Sequence, residues 1–326
     1  MPIKMQEITS EMWEQVNPEN RKMTEEFIKQ NIQLSSETLL QYTSALKIYY
    51  WWVKENADNK PFHQLKSRDF LSFQNFLTER GISSSGVKLK RSAVSSFNNY
   101  IEVYYLDIYP QFRNYITKGI PTPPPVAVHV KEPLTMDEYN SLCSKLEEQE
   151  LYQQLAYLKF SFASGARRAE VRQLLKSDMN IPPKVIEKDG KSISVYNTSP
   201  IRCKGRGKAG KVRPLQFDDA ARIAILKWLE IRGDDDCPYV FVAKHENKYR
   251  QISKNTFNSW TEGYFEPIVG RRVHPHLFRE SRATSMVVEQ GKDIKAAQKL
   301  LGHKSSTTTE IYVIRKDEED SDEAFI

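Results

Sequence analysis

The chain has 326 residues, 39% of them hydrophobic and 28% charged, which is enough for two domains with separate cores. No apolar run approaches the ~20 residues that span a bilayer. The start, MPIKMQEITSEMWEQ, lacks the apolar core of a signal peptide, and three cysteines without a Cys-x-x-Cys pair argue against a disulfide framework or a zinc site. The expectation is a cytoplasmic protein with no membrane partner and no metal. Net charge is +6, but Asp317 to Glu323 holds six acids and no base. The body therefore carries about +12, a balance that suits a partner made of phosphates.

Residues 1–119 read as all-helical. A short helix is expected around Lys22 to Gln30. From Glu37 to Ala57 the apolar positions Leu39, Tyr42, Leu46, Tyr49 and Val53 recur at spacings of three and four, with an N-cap at Ser35-Ser36. The aromatic run Tyr49 to Trp52 reads as core rather than as a base-stacking surface. Phe70, Phe73 and Leu77 mark a further helix stopped by Gly81. Another is expected to start after Ser83-Ser84-Ser85-Gly86, with Lys88, Lys90 and Arg91 in its early turns. Free N–H groups at a helix start beside three cations make a candidate contact for a DNA backbone.

Ile120-Pro121-Thr122-Pro123-Pro124-Pro125 cannot be helical and reads as an extended linker over 120–130. The second domain, 131–316, opens with a capping box, Thr135 and Glu138. A helix to about Glu148 and another from Tyr152 to Ser161 follow. Ser164-Gly165 breaks the chain, and a helix beginning near Arg167 is expected to run to Asp178. From Val185 to Phe217 the pattern is β-like. Ile201 to Lys204 and Val212 to Phe217 flank a glycine-rich loop and read as a hairpin. Arg202, Lys204, Arg206, Lys208, Lys211 and Arg213 put six cations there with no acid between them, a density that points to DNA contact. Helix is expected again from Asp218 to Arg232, then a turn at Gly233-Asp234-Asp235-Asp236, a short strand from Tyr239 to Val242 and a helix from Lys254 to about Val269.

Arg271 to Arg315 carries the polar chemistry. His276 and Arg279 form H-x-x-R on one helix face. His303 follows Leu300-Leu301-Gly302, the sequence of a helix end, and Tyr312 lies nine residues later. A cation, two imidazoles and a phenol are a kit for attacking a phosphodiester without a metal.

In order, these pieces resemble the tyrosine recombinase (phage integrase) family. Ser164-Gly165-Ala166-Arg167-x-x-Glu170-Val171 is similar to its first arginine box, and His276-x-x-Arg279, Leu301-Gly302-His303 and Tyr312 to its second. The resemblance covers Lys131 to Arg315. It implies a mainly α protein with a small β-sheet (α+β), in which a helical, SAM-like core-binding domain and a catalytic domain form a C-shaped clamp on DNA. It also implies that Tyr312 is the nucleophile, giving a 3′-phosphotyrosyl link, while Arg167, Arg279 and His303 grip the non-bridging oxygens. His276 would assist proton transfer at Tyr312. Lys204 would protonate the leaving 5′-oxygen, with Lys208 the alternative. Glu170 would support an arginine; Arg168 adjoins Arg167, and register against Glu170 favours Arg167.

No cofactor is implied. The implied partners are double-stranded DNA with a specific core site, a homotetramer on two duplexes and, in some settings, accessory DNA-bending proteins. The implied reaction runs through a Holliday junction, serving integration, excision or resolution in a bacterial, archaeal or phage-encoded, nucleoid-associated setting. A type IB topoisomerase-like nicking-closing enzyme and a silent DNA-binding regulator on the same fold are the alternatives. The acidic tail 317–326, ending in Ala324, Phe325 and Ile326, is expected to dock on a neighbouring protomer.

Overall fold

A computed structural model of the chain describes residues 5–117, 119–124, 132–188, 190–203, 211–303, 309 and 310. These residues group into two compact units, one ending at residue 124 and one starting at 132. None of the described helices is long and apolar enough to cross a membrane.

The first unit is helical: α1 (Ser10–Glu14), α2 (Pro18–Gln30), α3 (Ser36–Asn56), α4 (Ser67–Glu79) and α5 (Ser84–Tyr104). Ser35 caps α3 by accepting from Thr38 N. Gly81, at φ 73°, ends the α4 segment in the left-handed conformation that favours glycine, letting Ile82 N donate to Leu77 O at 3.0 Å. The core is aromatic: Phe62 meets Phe97 and Phe112 edge-on, and Tyr49 packs on Phe73 at 4.9 Å. Tyr49, Tyr50 and Trp52 are buried, as read from the sequence, and each such ring contributes about 2–3 kcal/mol by leaving water. α5 begins at Ser84, three residues earlier than expected, because Ser83 is the cap and accepts from Gly86 N. Lys88, Lys90 and Arg91 thus sit beyond the free N–H groups of the helix start. Ile120, read as linker, is buried in this core, and Gln74 Nε2 donates to Pro121 O at 2.7 Å.

The second unit contains α6 (Met136–Glu148), α7 (Tyr152–Ser164), α8 (Arg168–Val171), β1 (Lys184–Lys188), β2 (Lys191–Asn197), β3 (Ile201–Cys203), β4 (Lys211–Arg213) and β5 (Gln216–Phe217). It continues with α9 (Asp219–Arg232), β6 (Val242–His245), β7 (Lys248–Gln251), α10 (Thr256–Trp260), α11 (Glu266–Val269), α12 (Leu277–Thr284) and α13 (Ile294–Leu301). The strands form a three-stranded antiparallel sheet ordered β1-β2-β5 and two hairpins, β3-β4 and β6-β7. Ile201 faces Arg213 and Cys203 faces Lys211, so a basic hairpin forms, but its second strand covers only Lys211–Arg213; Gln216 and Phe217, expected in the same strand, pair with Asn197 and Tyr196 of β2 instead. The capping box forms as read: Thr135 Oγ1 accepts from Glu138 N, and Glu138 Oε2 accepts from Thr135 N. Arg271 then donates two 2.7 Å bonds to Glu138 and two more to Glu132 O and Pro133 O.

Two expectations need correction. The helix read from Arg167 to Asp178 is a single turn, α8. Leu174 O accepts from Val240 N, Lys176 N donates to Pro238 O, and Leu175 bridges Tyr239, so the chain leaves the helix to pair with a distant segment. The strand read at Tyr239–Val242 starts at Val242 and belongs to a hairpin with β7, turned by Glu246 and Asn247 at positive φ. The Asp234–Asp236 run is a turn as read: Asp235 Oδ1 accepts from Cys237 N and from Arg232 Nη2.

Candidate active site

Two buried helices bring distant arginines together. Tyr157 on α7 is fully buried, stacks on Phe257 at 4.4 Å and meets Phe278 edge-on at 5.8 Å. Phe278 precedes Arg279, so this contact fixes α12 against α7. α7 ends at Gly165, φ 58°, where a Cβ would lie 2.3 Å from Leu301 Cδ2. Only glycine admits both that backbone and that neighbour. Gly165 O accepts from Arg279 Nη1 at 2.6 Å.

The turn after Gly165 places Arg167 and Glu170. Glu170 is 1% exposed; its Oε2 accepts from Arg167 N at 3.1 Å and its Oε1 from Arg167 Nη1 at 2.9 Å. The Arg167 side chain keeps 27% of its surface exposed, within reach of a ligand. Arg168 turns away to Asn258 Oδ1 at 2.7 Å, which settles which of the adjacent arginines faces this cluster.

α13 ends as the sequence implies. Gly302 takes φ 69°, and His303 N donates back to Gln298 O. The exposed carbonyls of that end collect guanidinium donors. Arg213 Nη1 and Nη2 donate to Leu300 O and Leu301 O at 2.9 and 3.1 Å, and Arg279 Nη2 donates to Leu301 O at 2.7 Å. Arg213 Nη2 also lies 3.8 Å from Glu170 Oε2. Arg213, expected among the DNA-contacting cations, is instead turned inward: it ties the β3-β4 hairpin to the helix end that presents His303.

His303 is 9% exposed and its Nε2 lies 2.6 Å from Arg279 Nη2. A guanidinium only donates, so Nε2 accepts and the ring is neutral. Burial first, then Arg279, Arg167, Arg213 and His276, pulls its pKa down to about 4. In this arrangement Nε2 is engaged as an acceptor from Arg279. His276 occupies the N-cap position of α12 and receives Arg279 N on its carbonyl. His274 Nδ1, unassigned from sequence, accepts from Leu277 N at 3.1 Å and helps to start the same helix.

Arg167 and Arg213 at the buried Glu170 carboxylate, with Arg279 bonded to His303 and to the backbone beside them, bring together donors suited to an anion with several oxygens. Among the described residues no cluster of His, Cys, Asp and Glu is arranged to hold a metal ion. Tyr312, Lys204, Arg206, Lys208, residues 125–130 of the linker and the tail 317–326 lie outside the described residues. Of the remaining cations, Lys88, Arg202 and Lys211 are exposed. Lys90 is half-buried, and burial lowers its pKa. Arg91 is engaged within its own unit, donating to Thr117 O and Gln74 Oε1. The β6-β7 hairpin adds exposed Lys244, Lys248 and Arg250, which sequence reading missed because its turn lacks the usual Asn-Gly or Asp-Gly signal. Gln251 anchors it by accepting from Arg172 Nη2 and donating to Arg172 O.

A sequence profile of the phage integrase family matches residues 132–319. The SPbeta prophage-derived recombinase-like protein YomM of Bacillus subtilis (strain 168) is 33% identical over 331 residues, covering 99% of this chain and 96% of that one. The tyrosine recombinase XerA of Thermococcus onnurineus (strain NA1) is 28% identical over 270 residues, 82% of this chain and 84% of its own. Among solved structures, the XerH site-specific recombinase bound to palindromic difH substrate, a post-cleavage complex, aligns with a TM-score of 0.67 at 16% identity, covering 100% of this chain and 98% of that one. A lambda integrase (75–356) dimer bound to a COC′ core site gives 0.61 at 17% identity, covering 91% and 95%. These two likenesses concern the fold.

Proposed function

Because the chain belongs to the phage integrase family and is a tyrosine-type site-specific recombinase, we propose that it cleaves and rejoins double-stranded DNA at a specific core site through a 3′-phosphotyrosyl bond to Tyr312 and a Holliday junction. The observation that supports this reading is the convergence of three separate segments, in which Arg167 is held on Glu170 and Arg279 bonds both to Gly165 O just before Arg167 and to Leu301 O and His303. In this proposal the Tyr312 hydroxyl attacks phosphorus, the Tyr–O–P bond forms and the bond to the 5′-oxygen breaks. His276 takes the phenol proton, and Lys204, or Lys208 in its place, supplies one to the leaving 5′-oxygen. Arg167 and Arg279 offset the charge that builds on the non-bridging oxygens. A phosphate oxygen meeting Arg279 releases His303 Nε2 from its acceptor role, and the added negative charge favours a proton there. The bond energy is retained in the phosphotyrosine, so a 5′-hydroxyl from a partner strand reverses the step.

Four such tyrosines in a homotetramer on two duplexes complete the exchange, with accessory DNA-bending proteins serving assembly. Lys88, Arg202, Lys211 and the hairpin cations Lys244, Lys248 and Arg250 are the proposed backbone contacts. The test is a nicked suicide duplex carrying the core site, incubated with the wild type and with Tyr312→Phe. A denaturant-resistant adduct from the wild type alone is expected. Equal adduct from both refutes Tyr312 as nucleophile, and no adduct from the wild type refutes the chemistry.

A further inference from the structure

Between His303 and Tyr312 the sequence offers five hydroxyl side chains in a row, Ser305 to Thr309, with nothing local to choose among them. Of these, Thr309 is among the described residues. It is fully buried, and its Oγ1 lies 3.0 Å from His303 Nδ1. The other ring nitrogen is already committed, because Arg279 Nη2 at 2.6 Å requires Nε2 to accept. Nδ1 therefore carries the proton, and Thr309 Oγ1 accepts it. Which imidazole nitrogen is protonated is set by the bond the other one makes.

We infer that Thr309 is a positioning residue for strand cleavage: its buried hydroxyl accepts from Nδ1–H, holds the ring orientation of His303 beside Arg279, and ties that imidazole to the segment carrying Tyr312. The tie is covalent in origin. Tyr312 is three residues beyond Thr309, and three residues span at most about 11 Å. A shift of Thr309 therefore moves His303 and the approach to Tyr312 together. A hydroxyl suits the task because it accepts from Nδ1–H now and can donate to Nδ1 once Nε2 turns to a phosphate oxygen. Valine has the same shape and can do neither.

The inference rests on the function proposed above, and two readouts on the full-length protein separate them. The first needs no DNA. With ¹⁵N-labelled histidine, the wild type shows the Nδ1–H form of His303 with that proton protected from exchange with water, Thr309→Val exchanges it faster, and Thr309→Ser restores the protection. The second uses the suicide duplex. Thr309→Val forms adduct about tenfold or more slowly at unchanged DNA affinity, the size usual for losing a partner that orients a working histidine, and Thr309→Ser recovers the rate. Unchanged exchange of the Nδ1 proton in Thr309→Val, a wild-type rate in that variant, or failure of Thr309→Ser to rescue overturns the inference. Absence of adduct from the wild type instead overturns the function beneath it, while the first readout still decides the role of Thr309 at His303.

Discussion

Glu170 gives the sharpest test of how the arginine cluster is held. Glu170→Gln keeps the shape but removes the charge, and its amide nitrogen must face an N–H donor. At present the carboxylate accepts from Arg167 N and Nη1 at 3.1 and 2.9 Å, with Arg213 Nη2 at 3.8 Å. The variant loses one of the two bonds outright and the charge assistance in the other. At about 1.5–3 kcal/mol for a bond to a charged group against about 1 for a neutral one, the expected cost is roughly 2–5 kcal/mol. For a domain of about 190 residues that lowers Tm by roughly 4–20 °C. DNA affinity should not weaken, because every phosphate-facing cation remains. Cleavage measured well below the variant's Tm should slow by about 5- to 30-fold, the equivalent of about 1–2 kcal/mol in the transition state. Thermal unfolding, a DNA titration and single-turnover adduct formation measure the three quantities. A variant as stable and as fast as the wild type would show that Glu170 holds neither arginine in place.

Gly165→Ala meets Leu301 Cδ2 and takes a positive φ, so a loss of about 2–4 kcal/mol is expected in urea unfolding; a loss below about 1 kcal/mol would contradict the packing described. His303 titrates near 4 in the folded chain and near 6.5 when unfolded, so the unfolded state takes up the proton first. The stability it contributes is present above about pH 6.5 and falls by roughly 3 kcal/mol as pH drops to 4; His303→Gln should flatten that part of the profile. Arg271→Ala should cost about 1–2 kcal/mol at pH 7 by freeing Glu138, whose carboxyl the Arg271 guanidinium holds below its usual range, and the penalty should shrink as acid protonates Glu138. Replacing Lys244, Lys248 and Arg250 by alanine should make the salt dependence of DNA binding shallower by about 0.9 in log–log slope for each phosphate that is no longer neutralised; an unchanged slope removes the hairpin from the interface.

The sequence by itself determined the helical first unit, the capping box at Thr135 and Glu138, the basic strands of the β3-β4 hairpin and the helix end before His303. Each is a local property: a cap, a glycine in the left-handed region or a spacing of three and four is decided within a few residues. Tertiary structure decided where the guanidinium groups go. Arg213 reads as one more hairpin cation until Leu300, 87 residues on, offers its carbonyl. Arg279 is anchored on Gly165, 114 residues earlier. The early exit of α8 toward Val240 and the tautomer of His303 likewise depend on groups far along the chain. A side chain with several donors and a long reach takes its role from whichever acceptors packing brings near, and periodicity carries no record of them.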